Sequence, residues 1–123
     1  MSKYHNRKVT LDGITFDSKR EATRYAELKL LEKAGVIQKL ELQKTFELIP
    51  AQYEQISRDE YIKSKGRKTK GKCIERAVTY KADFCYWKDG KQIVEDTKGM
   101  KTQAYIIKRK LLLYVHGIRI KEI

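Results

Sequence analysis

The chain has 123 residues, enough for one domain with its own hydrophobic core and too few for two ordinary ones. Its composition, 41% hydrophobic and 36% charged with one proline, is typical of a folded domain and excludes a disordered or collagen-like chain. Basic side chains number 28 against 16 acidic ones, a net charge of +12, and no apolar run reaches the roughly 18 residues of a membrane span.

Turn and capping residues predict a β-hairpin and then a helix at the start of the chain. Asp12-Gly13 tolerates the positive φ angles of a two-residue turn, and short apolar runs flank it at 9–11 and 14–16. Ser18 suits a helix N-cap and Gly35 the residue after the last turn. We therefore expect a helix of about 16 residues between them.

Three strands are predicted in the middle of the chain. In residues 40–49 apolar side chains fall at even spacing before Pro50, which indicates a strand. Residues 78–87 and 92–97 indicate two more, and the turn residues Asp89-Gly90 join them as a hairpin.

A second helix and a short strand complete the predicted order. Thr102 can cap a helix that runs through His116 and ends at Gly117, and residues 118–123 indicate a final strand. This helix bears the apolar residues Ile106, Ile107, Leu111, Leu112 and Val115. A hairpin followed by an αβββαβ order predicts a single α/β domain over 1–123, with helices packed on one mixed sheet.

Residues 57–76 interrupt this order with a basic segment. Within it, residues 64–72 hold five basic side chains and two glycines and no apolar side chain, so we expect a flexible loop between the first two strands of the sheet. Its cations would bind phosphates without reading bases, and affinity would fall steeply with salt. These cations are Lys65, Arg67, Lys68, Lys70 and Lys72.

Positive charge is concentrated in the second half of the chain. Residues 1–62 carry 11 basic and 10 acidic side chains, whereas residues 63–123 carry 17 and 6. A solvated surface does not need such an asymmetry, but a surface that binds a polyanion does. Nucleic acid is therefore the expected partner, ahead of a membrane surface or an acidic protein.

Cysteine usage and the first residues indicate the compartment. Cys73 and Cys85 are too few for a secreted disulfide scaffold, and no His/Cys cluster has the spacing of a zinc site. Residues 1–7 lack the apolar core of a signal peptide. We expect a cytoplasmic protein with reduced thiols, no structural zinc and no membrane partner.

The triplet Asp96-Thr97-Lys98 carries the first candidate chemistry. Side chains two apart in a strand project from the same face, so the Asp96 carboxylate and the Lys98 ammonium would emerge together. A carboxylate can hold a divalent metal, and a neighbouring lysine can orient water or neutralise charge that develops on a phosphate. Of four acid-x-Lys triplets in the chain, only this one ends a strongly apolar strand.

Two further acids are candidates for the same site. Asp83 lies inside a predicted strand, where an unpaired aspartate is destabilising. It would either lie near Asp96 across the hairpin or pair with Lys81 or Lys98. Glu21 shares a helical stripe with apolar residues and so leans toward the sheet, although its carboxylate could also close a capping box.

Three converging carboxylates would repel one another without a cation. With oxygen ligands alone, that cation would be Mg²⁺, with Mn²⁺ as a substitute, rather than zinc. A hard metal beside a lysine, under a basic surface, suits hydrolysis of a phosphodiester. Catalysis by a Ser–His–Asp or Cys–His arrangement is not indicated, because His5 lies near a terminus and His116 at a helix end.

The helix acid, the strand acid and the triplet, in this order of elements, resemble the PD-(D/E)XK nuclease superfamily. The stretches GITFDSKREA at 13–22, YKADF at 80–84 and VEDTKG at 94–99 are more similar still to a family of small phage or prophage proteins, often described as similar to phage endonuclease I. The likeness covers most of the chain, with 57–76 as an elaboration. It implies a restriction-endonuclease-like core, a mixed sheet flanked by helices, acting in a bacterial host cell.

The resemblance also implies the site residues, of which three would bind the metal and Lys98 would assist the attacking water: Glu21, Asp83, Asp96 and Lys98. Two positions depart from the usual pattern. Asp96 stands where glutamate is commoner, and Ala82 where the superfamily name expects proline. The departures leave open that Glu95 turns inward instead, although strand alternation favours Asp96.

The function implied by the resemblance is a Mg²⁺-dependent DNA endonuclease, acting on branched DNA such as a Holliday junction in phage recombination or replication, as a homodimer. The second helix would approach the DNA backbone through Gln103 and Lys108; alternatively, these residues form a solvated face opposite Ile107 and Leu111. Two rival functions remain open. One is a non-catalytic nucleic-acid-binding module on the same fold, and the other is a protein that binds an acidic host factor.

Overall fold

A four-stranded mixed sheet with a helix on each face forms the centre of the fold. The computed structural model describes residues 7–97 and 101–123, and no helix within these ranges is long and apolar enough to cross a membrane. In chain order the elements are β1 (Val9–Leu11), β2 (Ile14–Phe16), α1 (Lys19–Lys33), β3 (Gln38–Ile49), β4 (Gln52–Tyr53), α2 (Arg58–Lys63), β5 (Cys73–Glu75), β6 (Val78–Lys88), β7 (Lys91–Asp96), α3 (Gln103–His116) and β8 (Lys121–Glu122).

The strands of the central sheet lie in the order β3-β6-β7-β8. β6 pairs antiparallel with both β3 and β7, whereas β8 follows α3 and lies parallel to β7. At the β6–β7 turn, Asp89 and Gly90 have φ angles of 51° and 75°, the conformation for which Asp-Gly is preferred. The predicted α/β class, the N-terminal hairpin β1–β2 and the αβββαβ order are confirmed.

The two long helices cover opposite faces of the sheet. The buried cluster on the α1 face consists of Phe16, Ala22, Tyr25, Leu28, Ile37, Phe84 and Tyr86. The cluster on the α3 face consists of Phe46, Leu48, Tyr80, Ala82, Cys85, Val94, Tyr105, Leu112 and Ile120. Both predicted N-caps are confirmed, because the hydroxyls of Ser18 and Thr102 each accept a backbone hydrogen bond, at 3.1 Å.

Strand β3 changes face halfway along its length. Leu42 packs with the α1-face cluster and Phe46 belongs to the α3-face cluster, although the two are an even number of residues apart. Gln43 lies between them with a φ of 55°, a left-handed conformation that re-aims the side chains of the strand. The register on either side places Gln43 opposite Asp83 of β6. The sheet is therefore irregular beside the candidate acid Asp83.

The segment between β3 and β6 contains secondary structure, which corrects the prediction that residues 57–76 form a loop throughout. β4 and β5 pair with each other in a separate two-stranded sheet, and α2 lies between them. The pairing continues through a hydrogen bond from Glu54 N to Lys72 O, at 2.8 Å. We call residues 52–75 the arm; none of these residues, all of which the structure describes, is buried.

Helix α3 lies where it is predicted, but its buried face is narrower than expected. Tyr105 and Leu112 are buried, whereas Ile107 and Val115 are exposed. At 3.6 residues per turn, Ile107 lies about 200° around the helix from Tyr105, on the side away from the sheet. The final strand is also shorter than 118–123, because β8 pairs only with the last two residues of β7.

Candidate active site

Asp83 and Asp96 are neighbours across the β6–β7 hairpin. The register pairs Phe84 with Glu95, so the next position along places Asp83 beside Asp96, the last residue of β7. Asp96 is fully buried and Asp83 is half-buried. Both carboxylates act electrostatically on the same hydroxyl, that of Tyr80. The hairpin thus brings two of the four predicted catalytic residues together.

The end of β7 holds Asp83 in place. Its Oδ2 accepts two hydrogen bonds from Thr97, one from the backbone amide at 2.9 Å and one from the hydroxyl at 2.7 Å. Lys81, one of the ion-pair partners considered for Asp83, is exposed, and no ion pair joins these two described residues. Thr97 was not identified as a site residue from the sequence. Its position directly after Asp96, at the end of the strand paired with that of Asp83, is the signal that could have identified it.

The Asp96 side chain lies on the α3 face of the sheet. The hydroxyl of Tyr80 donates a hydrogen bond to its Oδ2, and its backbone carbonyl accepts one from the amide of Ile123 at 3.0 Å. Burial, followed by the bond to Asp96, raises the pKa of Tyr80 far above its usual range. The Tyr80 hydroxyl therefore keeps its proton at neutral pH and remains a donor to this carboxylate.

Glu21 lies in the first turn of α1, where its backbone amide donates to the Ser18 cap. It is buried together with Tyr25 and Leu28, which confirms that this stripe of the helix faces the sheet. A carboxylate is stabilised at this position by the partial positive charge of the helix N-terminus. Glu21 is thus a buried carboxyl group on α1, the helix whose Arg24 contacts β7.

The described ranges contain no group of three or more His, Cys, Asp or Glu side chains arranged to bind a metal ion. Glu21 is therefore not gathered with Asp83 and Asp96 into a ready set of ligands there. Lys98, the fourth predicted catalytic residue, lies outside the described residues, in the gap at 98–100. The described part of the site consists of the acid pair on the hairpin and a third carboxylate on α1.

Glu95 precedes Asp96 but projects from the opposite face of β7. Arg24 of α1 donates two hydrogen bonds to it, from Nε to Oε1 and from Nη2 to Oε2, both at 2.7 Å, and the Tyr86 hydroxyl donates another to Oε2. Burial opposes ionisation of this carboxylate, but the bonds from Arg24 and Tyr86 outweigh it and keep the pKa of Glu95 below its usual range. Both Glu95 oxygens are engaged by these donors.

The Arg24–Glu95 pair joins two of the three elements that carry the candidate acids, α1 and β7. Arg24 lies one turn after Glu21 on α1, and Glu95 lies directly before Asp96 on β7. Removing one partner of a buried ion pair leaves an uncompensated charge, so the pair resists separation of these elements. No local pattern predicts it, because its partners are 71 positions apart.

A groove opens beside this pair, where α1 meets the ends of β7 and β8. It has a volume of about 420 Å³ and is lined by Arg20, Thr23, Arg24, Glu27, Thr97, Lys121 and Ile123. Thr97, the residue that holds Asp83, lines this groove, whereas Asp83 and Asp96 do not. Arg20 and Lys121 are exposed and give the groove positive charge. An anion in this groove would lie next to Thr97.

The arm carries five of the residues predicted to contact phosphates. Three of them line an open depression with Lys63 and Ser64, namely Lys65, Arg67 and Lys68. Lys70 Nζ lies 4.8 Å from the centroid of the Tyr53 ring, and Lys72 is exposed. The predicted cations thus lie in the stretch 64–72, which has no helix or strand, as the sequence predicts.

The two residues of α3 that are predicted to contact DNA, Gln103 and Lys108, lie outside the arm. Gln103 is the first residue of the helix and is exposed, and Lys108 is half-buried. The alternative, a polar face opposite Ile107 and Leu111, is not what α3 presents, because Ile107 is itself exposed. The outer surface of α3 therefore mixes polar and apolar side chains.

Among known proteins, no curated protein and no solved structure matches this chain. A family model does: that of DUF1064, a protein of unknown function, matches residues 1–121. The match includes the hairpin with the acid pair, helix α1 and the arm, and so extends over the whole fold. The chain therefore belongs to the DUF1064 family.

Proposed function

We propose that this chain is a Mg²⁺-dependent DNA endonuclease that hydrolyses phosphodiester bonds. The observation that carries the proposal is the juxtaposition of Asp83 and Asp96 at the end of the β6–β7 hairpin. The resemblance of Asp96-Thr97-Lys98 to the PD-(D/E)XK pattern supports the same reaction. Glu21, buried in the first turn of α1, is the third carboxylate that the resemblance implies, although the described residues do not gather it with the pair.

The chemistry of the donors fits a hard divalent cation. Glu21, Asp83 and Asp96 offer carboxylate oxygens without histidine or cysteine, a set that favours Mg²⁺ or Mn²⁺ over zinc. Both hydrogen bonds that Asp83 accepts within the described residues go to Oδ2, so its Oδ1 is able to coordinate. When bound, the cation would supply Lewis-acid stabilisation of charge on the phosphate.

The protein's own residues would orient the reacting groups. Thr97 fixes the Asp83 carboxylate through its amide and hydroxyl. Lys98 would orient the attacking water or neutralise charge on the phosphate. The groove with Arg20 and Lys121 would give the DNA backbone a positively charged path beside the acids.

The proposal includes the partner and the assembly that the resemblance implies. The substrate would be branched DNA in phage recombination or replication, the enzyme would act in the bacterial cytoplasm, and it would form a homodimer. The net charge of +12 supports DNA as the partner, because counterion release drives binding of basic proteins to polyanions. Light scattering coupled to size-exclusion chromatography would give the mass of the assembly.

A cleavage assay tests the reaction. The substrates are a labelled four-way junction and a linear duplex, each in Mg²⁺, Mn²⁺ or EDTA. Asp83→Asn and Asp96→Asn keep side-chain volume and remove the charge, and we expect each to lower the cleavage rate by about 100-fold or more. Asp89→Asn is the matched control; Asp89 lies in the hairpin turn, where Asn adopts the required φ equally well, so cleavage should be unchanged.

Tight binding of both DNAs without cutting in either metal would overturn the nuclease. It would favour a second candidate function, a non-catalytic nucleic-acid-binding module. The arm supports that candidate, since its cations lie in the loop between α2 and β5, outside the sheet that carries the acids. Calorimetric titration with Mg²⁺ distinguishes the two, because a nuclease binds the ion and loses it in Asp83→Asn, whereas a binding module does not bind it.

A further inference from the structure

The arm exposes aromatic and apolar side chains that the hydrophobic core does not use. Tyr53 on β4 is 42% exposed and Tyr61 on α2 is 48% exposed, and Ile62 and Ile74 face solvent as well. Neither hydrophobic cluster includes a residue of the arm. Apolar side chains concentrated on one segment outside the core are typical of a surface that binds a partner.

Both tyrosines pack against the basic loop at 64–72. Lys70 Nζ lies over the Tyr53 ring, 4.8 Å from its centroid. The Tyr61 hydroxyl lies so near Gly66 that a Cβ there would be 3.3 Å away, and Gly66 has a φ of 77°, a conformation that glycine adopts without strain. The rings therefore have fixed neighbours, which lowers the entropy lost when a ligand stacks on them.

Cations surround these rings. The arm, residues 52–75, carries seven basic and four acidic side chains. One of the cations that line the depression after α2 is compensated within the arm, because Lys68 Nζ lies 3.1 Å from Glu60 Oε2. The remaining surplus of positive charge next to flat aromatic rings suits a polyanion that also offers ring systems, which is a nucleic acid.

We propose that the arm is a binding site for nucleotides with unstacked bases. Tyr53 and Tyr61 stack on the bases, and the neighbouring lysines and arginines contact the phosphates. A surface tyrosine cannot reach the face of a base inside a duplex, because the bases there stack on one another. Bases of a single strand or at a branch point present open faces. The arm therefore selects single-stranded and branched nucleic acid over continuous duplex.

This inference names the substrate class of the proposed nuclease, and it rests on that function only for its link to cleavage. Stacking and phosphate contacts need neither the acid pair nor a metal, so binding by the arm is measurable in EDTA. An acidic protein or an anionic membrane would use the same cations, but neither presents a flat ring beside each anionic group, as a nucleic acid does. These partners are alternatives that the experiment separates.

Fluorescence anisotropy in EDTA measures the affinity of the full chain for a labelled oligothymidylate and for a labelled duplex of equal length. In the double variant Tyr53→Ala, Tyr61→Ala we expect binding of the single strand to weaken by about tenfold or more, while binding of the duplex is unchanged. Phenylalanine at both positions keeps the rings and should preserve the affinity. Tyr114→Ala on α3, where the side chain is 88% exposed, is the matched control and should change neither affinity.

The cations of the arm should behave differently from its tyrosines. Arg67→Ala should weaken binding of strand and duplex alike, because a phosphate contact does not depend on base stacking. A plot of log affinity against log salt concentration should also have a shallower slope in this variant. For a single strand, the slope should change by about 0.7 for each phosphate that the variant no longer neutralises. The tyrosine variant should leave that slope unchanged.

Equal reductions of affinity for strand and duplex in the tyrosine variant, or no reduction for either, would overturn the inference. So would tighter binding to anionic phospholipid vesicles or to polyglutamate than to the strand, with the same dependence on Tyr53 and Tyr61. Thermal melting of the variant at the wild-type temperature establishes that its sheet is folded, and trypsin cleavage between residues 63 and 72 at the wild-type rate establishes that its arm is. If the chain cuts no DNA but prefers the single strand in a tyrosine-dependent way, the arm is a binding site and the nuclease function is refuted. If the chain cuts DNA and binds it equally well without the two tyrosines, the nuclease function stands and the inference about the arm is refuted.

Discussion

The open end of the β6–β7 hairpin buries its charged side chains, whereas the arm exposes them. At the hairpin end, Glu95 and Asp96 are fully buried, and side chains from other elements donate hydrogen bonds to both. In the arm the charges are mostly cations, and none of the residues at 52–75, all within the described part, is buried. A buried charge must be compensated by the fold, whereas water compensates an exposed one. Substitutions at the hairpin end should therefore change stability, and substitutions in the arm should change binding alone.

Breaking the Arg24–Glu95 pair should give the largest loss of stability. Arg24→Met keeps an aliphatic stem but leaves the Glu95 carboxylate buried without its cation, so we expect the free energy of unfolding to fall by about 3 kcal/mol or more. Urea denaturation measures the change. Glu27→Gln removes the exposed partner of the same arginine and, as the control, should stay within about 0.5 kcal/mol of wild type.

A double variant sharpens the same prediction. Arg24→Met with Glu95→Leu replaces the pair by apolar side chains, and much of the stability lost in Arg24→Met alone should return, because no buried charge is left unpaired. An Arg24→Met chain as stable as wild type would contradict the idea that this pair holds α1 against β7.

Local signals in the sequence predicted most of the fold. Ser18, Asp89-Gly90 and Gly117 each act on a neighbouring turn of chain, and each lies at the predicted cap or turn. The juxtaposition of Asp83 and Asp96 could likewise be anticipated from a hairpin. The Arg24–Glu95 pair could not, because which basic side chain of α1 reaches β7 depends on how the helix lies on the sheet.

The structure of the arm was missed for a different reason. Ser57 and Glu60 repeat the Ser-x-x-Glu pattern that predicted α1, and the Ser57 hydroxyl accepts a hydrogen bond from Glu60 N at 3.2 Å. Helix α2 buries no residue, however, so apolar periodicity gave no signal for it. The face change at Gln43 also left no trace in the sequence, because a left-handed φ at glutamine is not a residue preference.

Removing the Tyr80 hydroxyl tests how the buried Asp96 is held. Tyr80→Phe leaves this carboxylate without its tyrosine donor, and we expect the free energy of unfolding to fall by about 2 kcal/mol, the range for hydrogen bonds to charged groups. Tyr25→Phe is the matched control, because the Tyr25 hydroxyl donates to the exposed Asp12 at 3.2 Å, and the loss should stay below about 1 kcal/mol. Equal losses in a urea titration would show that burial of the acceptor does not matter.

Glu32 is half-buried, so its burial lies between that of the carboxylates at the hairpin end and that of the charged side chains of the arm. The amide of Leu40 and the ammonium of Lys29 donate to its carboxylate, at 3.0 and 3.1 Å, and lower its pKa below the usual 4.5. The folded state then binds fewer protons than the unfolded state, so the stabilisation is complete above the usual pKa and is lost as pH falls through the lowered one.

The variant Glu32→Gln measures that contribution. We expect it to be less stable than wild type by about 1 kcal/mol at neutral pH, where the carboxylate is ionised. The difference should shrink as the pH of the urea titrations falls below 4.5. A difference that stays constant with pH would mean that the charge of Glu32 contributes nothing.

Gly71→Ala should change the free energy of unfolding least of all these variants, but it should open the arm locally. A Cβ at Gly71 would lie 2.6 Å from the backbone oxygen of Glu54, so the two sides of the arm must move apart. No arm residue belongs to either hydrophobic cluster. We therefore expect the free energy of unfolding, measured by urea titration, to change by less than about 0.5 kcal/mol. Limited trypsin digestion should cut faster between residues 63 and 72, where lysine and arginine are frequent.

Thr69→Ala, in the same loop and exposed, is the control and should be cut at the wild-type rate. A Gly71→Ala chain that loses global stability would show that the arm and the sheet unfold as one unit, and the contrast between a stabilising hairpin end and a binding arm would fail. Faster cutting at an unchanged midpoint would show that the arm opens on its own. The sequence of such a binding surface can change without moving the two carboxylates of the hairpin, because the contacts that hold Asp83 and Asp96 come from Thr97 and Tyr80, outside the arm.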